Sequence, residues 1–312
     1  MSTVREAQNS PGGLRGVQEA IVRAFAERTP VELRPGELDR GGRALRWVEA
    51  GAGDGPPVVL IAGCGESSLS WAPVLPVLAE RARVVAYDRA GLGASEPGRV
   101  PPAALAPPTL DQQVGDLAAL VRHLDAGPAV LVGHSWGGQL AQLLAWRSPE
   151  LVAGLVLVDP AHEEFRPQSV SAAEAVLTRL HLLRTALAPA GEQHSGDALG
   201  LAEAAVLARP HQRRTVLAEN RLTALAVPEL RRRRAAGRLP DVPVAVLSAS
   251  DGLPRALRSR WTALQSRIAA STARGTHSVV RGAGHAIHAD RPRAVIAAVL
   301  EVSDHARYVR KD

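Results

Sequence analysis

The chain has 312 residues, enough for one large domain with an insertion or for two modest domains. Hydrophobic residues make up 46% of it, so an extensive core can form and disorder is not the expected state. Aromatic residues make up only 3%, so the core must consist mainly of Ala, Val and Leu.

The chain is basic, with a formal net charge of +6. Nearly all the cations are arginines, since Lys311 is the only lysine. A basic balance can indicate a nucleic-acid partner, but acidic residues are interspersed and no nucleic-acid-binding motif occurs. We therefore expect no nucleic-acid partner, and the arginine run 231–234 is predicted to be a solvated helix face.

Cys64 is the only cysteine, which excludes a disulfide within the chain and a thiolate metal cluster. We expect no metal and no cofactor. The first residues lack the pattern of a signal peptide, and no apolar run reaches transmembrane length. The default expectation is a cytoplasmic protein without membrane insertion; the sequence leaves its oligomeric state open.

The N-terminal segment, 1–28, is predicted to be a disordered tail followed by an amphipathic helix. Residues 1–12 are polar, and apolar residues then recur at helical spacing from Leu14 to Phe25. Two short strands, 31–34 and 44–49, follow around a turn at Gly41-Gly42.

Four short apolar runs then predict buried parallel strands: 58–62, 84–87, 129–132 and 155–158. A helix with a capping box at Thr109 and Gln112 lies between the second and third runs. Another helix begins near Trp136 and ends near Ser148.

Residues 161–240 break this pattern and predict an inserted cap of three to five helices. A strand (242–248), a helix (257–268), a strand (277–281) and a terminal helix starting at Asp290 and Pro292 complete the chain. The predicted fold is α/β, with a doubly wound, mostly parallel eight-stranded sheet. Residues 29–160 and 241–304 form its core, and the cap enters after the sixth strand.

The strongest chemical signal is Gly133-His134-Ser135-Trp136-Gly137, between a buried strand and a helix. This is the context of a nucleophile elbow, in which glycines permit a tight turn and the serine hydroxyl is raised above the sheet. The alternative is a glycine-rich turn that only packs tightly. We predict that Ser135 is a catalytic nucleophile.

A serine hydroxyl needs an adjacent base, and ten histidines compete for that role. His285 is preferred because it follows the last predicted strand within Gly282-Ala283-Gly284, a loop of small residues. His288 is the second choice and is otherwise expected to support the loop. His134 lies inside the elbow, and its side chain is expected to point away from the hydroxyl.

The base in turn needs a carboxylate that holds its tautomer. Asp251 is predicted to supply it, because it follows the strand 244–248 after a short link. Asp159, at the end of the preceding strand, is the competitor; otherwise it is expected to cap the entry to the inserted segment or to line the pocket.

Two backbone N–H groups are required to stabilise the oxyanion of a tetrahedral intermediate. One is predicted to be that of Trp136. The other is expected in the loop Gly63-Cys64-Gly65-Glu66, where we choose Cys64. As a thiol, Cys64 is expected to be only a small apolar residue. Glu66 could line the pocket, but a solvated loop charge is the preferred interpretation.

Together these features resemble the α/β-hydrolase superfamily over residues 30–302. The resemblance includes Asp88-Arg89-Ala90-Gly91-Leu92-Gly93-Ala94-Ser95, similar to a structural turn of that family, and Gly284-His285 near the end. It implies that Ser135, Asp251 and His285 form the triad in the family's chain order. One departure is Ala62, where the family usually has a histidine that supports the oxyanion loop.

The resemblance implies a serine hydrolase that cleaves an ester, lactone or thioester of a small hydrophobic substrate through an acyl-enzyme. A serine nucleophile, rather than an aspartate, argues against haloalkane dehalogenase and the common epoxide hydrolase chemistry. The alternatives are a lyase, cyclase or cofactor-free peroxidase using the same elbow, and, as the weakest, a non-catalytic ligand-binding protein.

Overall fold

The computed structural model describes residues 13–100, 104–165 and 196–309. The expectation of a disordered tail at 1–12 lies outside these residues, as does the part of the predicted cap at 166–195. None of the helices in the described ranges is long and apolar enough to cross a membrane.

The main sheet has eight strands: β1 (Leu33–Asp39), β2 (Ala44–Ala50), β3 (Val58–Ile61), β4 (Val84–Asp88), β7 (Ala129–His134), β8 (Val152–Val158), β9 (Val244–Ala249) and β10 (Gly275–Val280). Their order in the sheet is β1-β2-β4-β3-β7-β8-β9-β10. Strands β1 and β2 form an antiparallel pair, β2 pairs antiparallel with β4, and the remaining pairs are parallel. The predicted eight-stranded, mostly parallel sheet is confirmed.

Helices lie on both faces of the sheet. They are α1 (Leu14–Ala26), α2 (Leu75–Ala79), α3 (Leu110–His123), α4 (Trp136–Arg147), α5 (Ala198–Leu207), α6 (Gln212–Leu225), α7 (Val227–Ala236), α8 (Arg255–Ala269), α9 (Ile287–Asp290) and α10 (Pro292–Val309), with 3₁₀ turns at Ser68–Trp71 and Pro149–Leu151. The predicted cap of α3 is present, since Thr109 Oγ1 accepts a hydrogen bond from Gln112 N at 3.1 Å.

Side chains along the central strands point alternately to the two faces of the sheet, so the core is divided into two clusters, one on each face. In β3, Val58 and Leu60 pack with α1 and α10, whereas Val59 and Ile61 pack with α3 and α4. Because helices cover both faces, the central strands are apolar at every position, which is why they are recognisable as short uninterrupted runs.

The first strand differs from its prediction. It begins at Leu33 and extends to Asp39, pairing along its whole length with β2, although Pro35 and Gly36 suggest a break. A proline is tolerated here because β1 is at the edge of the sheet, where one side of the strand needs no N–H donors. A second departure is the short hairpin of β5 (Arg99–Val100) and β6 (Ala104–Leu105), which no sequence signal indicated.

Helices α5, α6 and α7 form the described part of the segment between β8 and β9. The predicted solvated face of the arginine run on α7 holds for Arg231 and Arg232, which are exposed. Arg232 and Arg233 pair with Glu229, whereas Arg234 differs from the prediction because it forms an ion pair with the buried Glu163.

The junction of β7 and α4 packs too closely for side chains at its glycines. A Cβ atom added at Gly137 would lie 2.2 Å from the carbonyl oxygen of Ile61, and one at Gly133 would lie 2.5 Å from the backbone of Gly137. Backbone atoms cannot move aside as the end of a flexible side chain can, so these positions require glycine.

We therefore expect Gly137→Ala to lower the free energy of unfolding by about 1–3 kcal/mol, through overpacking against β3. Gly115→Ala is the matched control: Gly115 lies in α3 and has no atom within 4 Å of an added Cβ, so this change should raise stability by up to about 1 kcal/mol. Urea unfolding of both variants measures the difference. Equal stabilities would contradict the packing described for Gly137.

Candidate active site

Ser135 lies at the sharp turn between β7 and α4. Its backbone angles are φ 50° and ψ −113°, a conformation that L residues rarely adopt. Hydrogen bonds hold the turn: Ser135 N donates to Val158 O at 3.1 Å, and Ser135 O accepts from Gly138 N at 3.1 Å and from Ala161 N at 3.2 Å. The strained backbone conformation of Ser135 is thus held by hydrogen bonds to the end of strand β8, to Ala161 and to the first turn of α4.

The imidazole of His285 is hydrogen-bonded to Asp159, with 2.6 Å between Nδ1 and Oδ2. The other carboxylate oxygen accepts from Trp261 Nε1 at 2.8 Å, Gln265 Nε2 at 3.0 Å and Ala249 N at 3.1 Å. Burial by itself raises the pKa of Asp159, but the hydrogen bonds from His285, Trp261 and Ala249 outweigh it and hold the pKa below its usual value. The carboxylate is therefore ionised and fixed.

The prediction that Asp251 pairs with His285 is corrected by this contact. Asp251 lies in the loop after β9 with its side chain 58% exposed, and its nearest ion-pair partner is Arg258 at 3.8 Å. Asp159 directly follows β8, the strand adjacent to β7, so its carboxylate emerges beside the elbow. Sequence order alone could not distinguish the two, because both aspartates follow strands and both precede His285.

Nδ1 is the ring nitrogen of His285 that contacts the carboxylate. The loop that carries His285 is bound to the elbow. His134 Nε2 donates to the carbonyl oxygen of His285 at 3.1 Å, and the two rings lie 4.7 Å apart between centroids. The residue beside Ser135 thus anchors the histidine loop, a support that the sequence did not reveal.

The side chain of Glu66 is not a solvated loop charge, which corrects that interpretation. It accepts hydrogen bonds from Gly63 N at 2.8 Å and lies 3.2 Å from His134 Nδ1. Although burial opposes ionisation, the contacts with His134, the nearby His288 and Gly63 lower the pKa of Glu66. Both ring nitrogens of His134 are thus engaged, Nδ1 by Glu66 and Nε2 by the carbonyl oxygen of His285.

Within the part of the chain that the structure describes, Glu66, His134 and His288 form a group that could hold a metal ion, since their ligand atoms lie within 4.8 Å of one another. His288 is buried and its Nδ1 has no hydrogen-bond partner among the described residues. Burial, and then the neighbouring His134, lower the pKa of His288 to about 3. His134 Nδ1 and the Glu66 carboxylate are already hydrogen-bonding partners of each other, so neither group needs an ion as its partner. His288 stacks on Trp71, which agrees with a role in supporting the loop.

The oxyanion hole formed by the amides of Trp136 and Cys64 stays a prediction, and the surroundings of the two N–H groups are as follows. Trp136 is the first residue of α4, where a helix leaves the N–H without an internal acceptor. Within the described residues, the N–H of Cys64 has no acceptor either, whereas Gly63 N and Gly65 N are bound to Glu66 and Glu219. Burial and Glu219 raise the pKa of the Cys64 thiol, which disfavours the thiolate form that a nucleophilic cysteine needs.

Two residues that support the site have no sequence signal of their own. Trp261 and Gln265 are one helical turn apart on α8, so their side chains point to the same side and both donate to Asp159. A tryptophan and a glutamine at this spacing are otherwise ordinary features of a helix that packs on a sheet.

Comparison with known proteins agrees with this architecture. Residues 56–245, more than half of the chain, match the family model described as alpha/beta hydrolase fold. The chain is 27% identical over 256 residues to protein YqjL of Bacillus subtilis, covering 80% of this chain and 83% of that one.

Other relatives match over shorter segments. The acetyltransferase component of the acetoin cleaving system of Pseudomonas putida is 39% identical over 127 residues, which are 41% of this chain and 33% of that protein. A soluble epoxide hydrolase of Corynebacterium is 37% identical over 118 residues, 38% of each chain. The chain thus spans about a third of the length of these two relatives.

Solved structures share the fold at low identity. A structure described as a lipase of Acinetobacter baumannii superposes with a TM-score of 0.69 at 16% identity, over 94% of this chain and 96% of that one. The epoxide hydrolase CorEH superposes with a TM-score of 0.63 at 22% identity, over 87% and 98%. The sheet order, the strained serine turn and the family match lead to one conclusion: this chain belongs to the alpha/beta hydrolase fold family.

Proposed function

We propose that this protein is a serine hydrolase that transfers the acyl group of an ester, lactone or thioester to Ser135 and then to water. The observation that carries the proposal is the 2.6 Å hydrogen bond between His285 and the buried Asp159, at an elbow that presents a serine. The loop that carries His285 is bound to the elbow through His134. An imidazole oriented by a carboxylate is the group that activates a serine hydroxyl near neutral pH.

In the first half of the proposed reaction, the oxygen of Ser135 attacks the carbonyl carbon while Nε2 of His285 accepts its proton. The new negative charge on the substrate oxygen is stabilised by the N–H groups of Trp136 and Cys64. The imidazolium is stabilised by Asp159. When the tetrahedral intermediate collapses, His285 returns the proton to the leaving oxygen or sulfur, and the acyl group remains on Ser135.

In the second half, water attacks the acyl carbon and gives a proton to His285. Collapse of the second tetrahedral intermediate breaks the bond to Ser135, which recovers its proton from His285. The products are a carboxylic acid and an alcohol or thiol. The same two amides and the same carboxylate serve both halves, because each half develops charge at the same atoms.

A small hydrophobic substrate is supported by the apolar character of the segment between β8 and β9. In its helices α6 and α7, residues such as Leu222 and Leu230 are buried in the same core cluster as Trp136. Pockets that are mainly apolar with few polar groups select ligands by shape and hydrophobic contact.

Epoxide hydrolysis is the activity named for several relatives, the Corynebacterium enzyme among them. We favour acyl transfer because the elbow carries a serine hydroxyl, which needs the base His285, rather than a carboxylate. An assay with an epoxide beside a p-nitrophenyl ester separates the two: turnover of the epoxide alone would contradict the proposal.

Ser135→Ala should abolish turnover of a p-nitrophenyl ester, because no other group can form the acyl-enzyme. Circular dichroism should be unchanged, since the alanine keeps the backbone and removes only one oxygen. A fluorophosphonate probe should label the peptide 133–147 of the wild-type protein and leave the variant unlabelled. Label on another peptide, or full activity of the variant, would rule out Ser135 as the nucleophile.

Asp159→Asn should lower kcat by about 10⁴-fold, because an amide cannot hold His285 in the tautomer that accepts a proton at Nε2. Asp251→Asn is the matched control and should leave kcat within about twofold of wild type, since surface substitutions away from such contacts have small effects. Steady-state kinetics with one ester measures both. The reverse order of effects would restore Asp251 as the orienting acid.

A further inference from the structure

Glu219, on helix α6, is fully buried although it carries a charge. Its Oε1 accepts from Arg89 Nε at 2.7 Å and from Gln113 Nε2 at 2.5 Å. Its Oε2 accepts from Arg89 Nη2 at 2.7 Å and from Gly65 N at 2.6 Å. Both oxygens are therefore saturated by donors from other parts of the chain, as a buried carboxylate requires.

These contacts fix the loop that carries the predicted oxyanion donor. Arg89 is aligned by Glu219 and donates to the carbonyl oxygens of Ala62 at 2.7 Å and Gly63 at 2.6 Å. In a planar trans peptide the N–H of Cys64 points opposite to the carbonyl of Gly63. Holding that carbonyl thus sets the direction of the Cys64 N–H, and the bond from Gly65 N to Glu219 fixes the next peptide.

The carboxylate of Glu219 is also connected, through Gln113, to Trp136, the residue of the other proposed oxyanion donor. Gln113 donates to Glu219 and accepts from Trp136 Nε1 at 2.9 Å. The amide of Gln113 is therefore oriented by Glu219, and the indole of Trp136 is positioned by Gln113. Trp136 is the residue whose backbone N–H is the second proposed oxyanion donor.

Ala62 has no polar side chain that could brace this loop from within the core. The bracing groups come instead from Arg89, after β4, and from Glu219, which lies 154 positions after Gly65 along the chain. The loop that carries Cys64 and the elbow that carries Ser135 are in this way both connected to α6, a helix of the inserted segment.

From this connection we infer that Glu219 is a positioning residue of the oxyanion hole, and that the hole is complete only when α6 is seated on the core. This inference rests on the proposed acyl transfer. It assigns to the segment between β8 and β9 a part in transition-state stabilisation, in addition to contact with the substrate.

Glu219→Gln tests the inference with little change in volume. The amide nitrogen must face donors at one of the two oxygen positions. Either placement breaks one contact with Arg89, together with the contact from Gly65 N or the one from Gln113 Nε2. We expect kcat for a p-nitrophenyl ester to fall about 10- to 100-fold, somewhat less than the loss of a whole oxyanion donor. KM should stay within about twofold, because the lost interaction acts on the transition state.

A second readout separates positioning from general destabilisation. Phenylboronic acid forms a tetrahedral adduct with a catalytic serine, so its inhibition constant should rise by about the same factor as kcat falls. Inhibition by the carboxylate product, which is planar, should be unchanged. Glu203→Gln, an exposed glutamate on α5, is the matched control and should leave all three quantities unchanged.

Failure of the inference and failure of the proposed function give different experimental results. Wild-type kcat and boronate inhibition in a folded Glu219→Gln variant would overturn the inference while leaving the proposed function intact. Failure of the fluorophosphonate probe to label wild-type Ser135 would instead overturn the proposed function. If Glu219→Gln does not fold, Gln113→Met decides. It removes the donor to Glu219 and the acceptor of Trp136, and so breaks the connection between them, while Glu219 keeps its contacts with Arg89 and Gly65. It should lower kcat about threefold or more, and an unchanged kcat would refute the positioning role.

Discussion

The hydrogen bond between Asp159 and His285 joins two loops that are 126 positions apart in the chain, and the geometry of the site depends on it. A carboxylate this deeply buried is costly unless donors surround it. Trp261, Gln265 and the amide of Ala249 provide them, all from elements that follow the inserted segment. The adjacency of β7, β8 and β9 in the sheet brings these groups together, so the fold supplies the conditions under which the carboxylate can stay ionised.

A second buried carboxyl group, that of Glu219, contacts Arg89, Gln113 and the loop at Gly65. Replacing a buried ion pair by apolar residues is often neutral or stabilising, so the pair of Arg89 and Glu219 is weak evidence for stability as such. The pair instead fixes geometry. The planar guanidinium of Arg89 is bound on one edge by the carboxylate of Glu219, and its other N–H groups donate to two carbonyl oxygens. A loop of small residues, from Ala62 to Gly65, has little packing of its own and gains its order from these bonds.

Small residues have two opposite effects around the elbow. Gly133 and Gly137 are required because backbone atoms approach them too closely for a side chain. The glycines of the oxyanion loop leave that loop without side chains that could fix it, so charged groups from distant elements fix it instead. Ser135 itself adopts a strained conformation, held by hydrogen bonds with Val158, Gly138 and Ala161. The strain is tolerated because the surrounding sheet and helix over-determine the turn.

The sequence by itself determined the elements whose signal is local: apolar runs, a helix cap at Thr109, and the elbow around Ser135. It also indicated His285, since a loop of small residues follows the last strand. It could not choose between Asp159 and Asp251, because both follow strands, and only the sheet order shows which carboxylate lies next to β7. The roles of Glu66, Gln265 and Glu219 likewise needed the tertiary structure. A buried polar residue is identified by its partners, and hydrogen bonds between residues far apart in the chain leave no periodic pattern in the sequence.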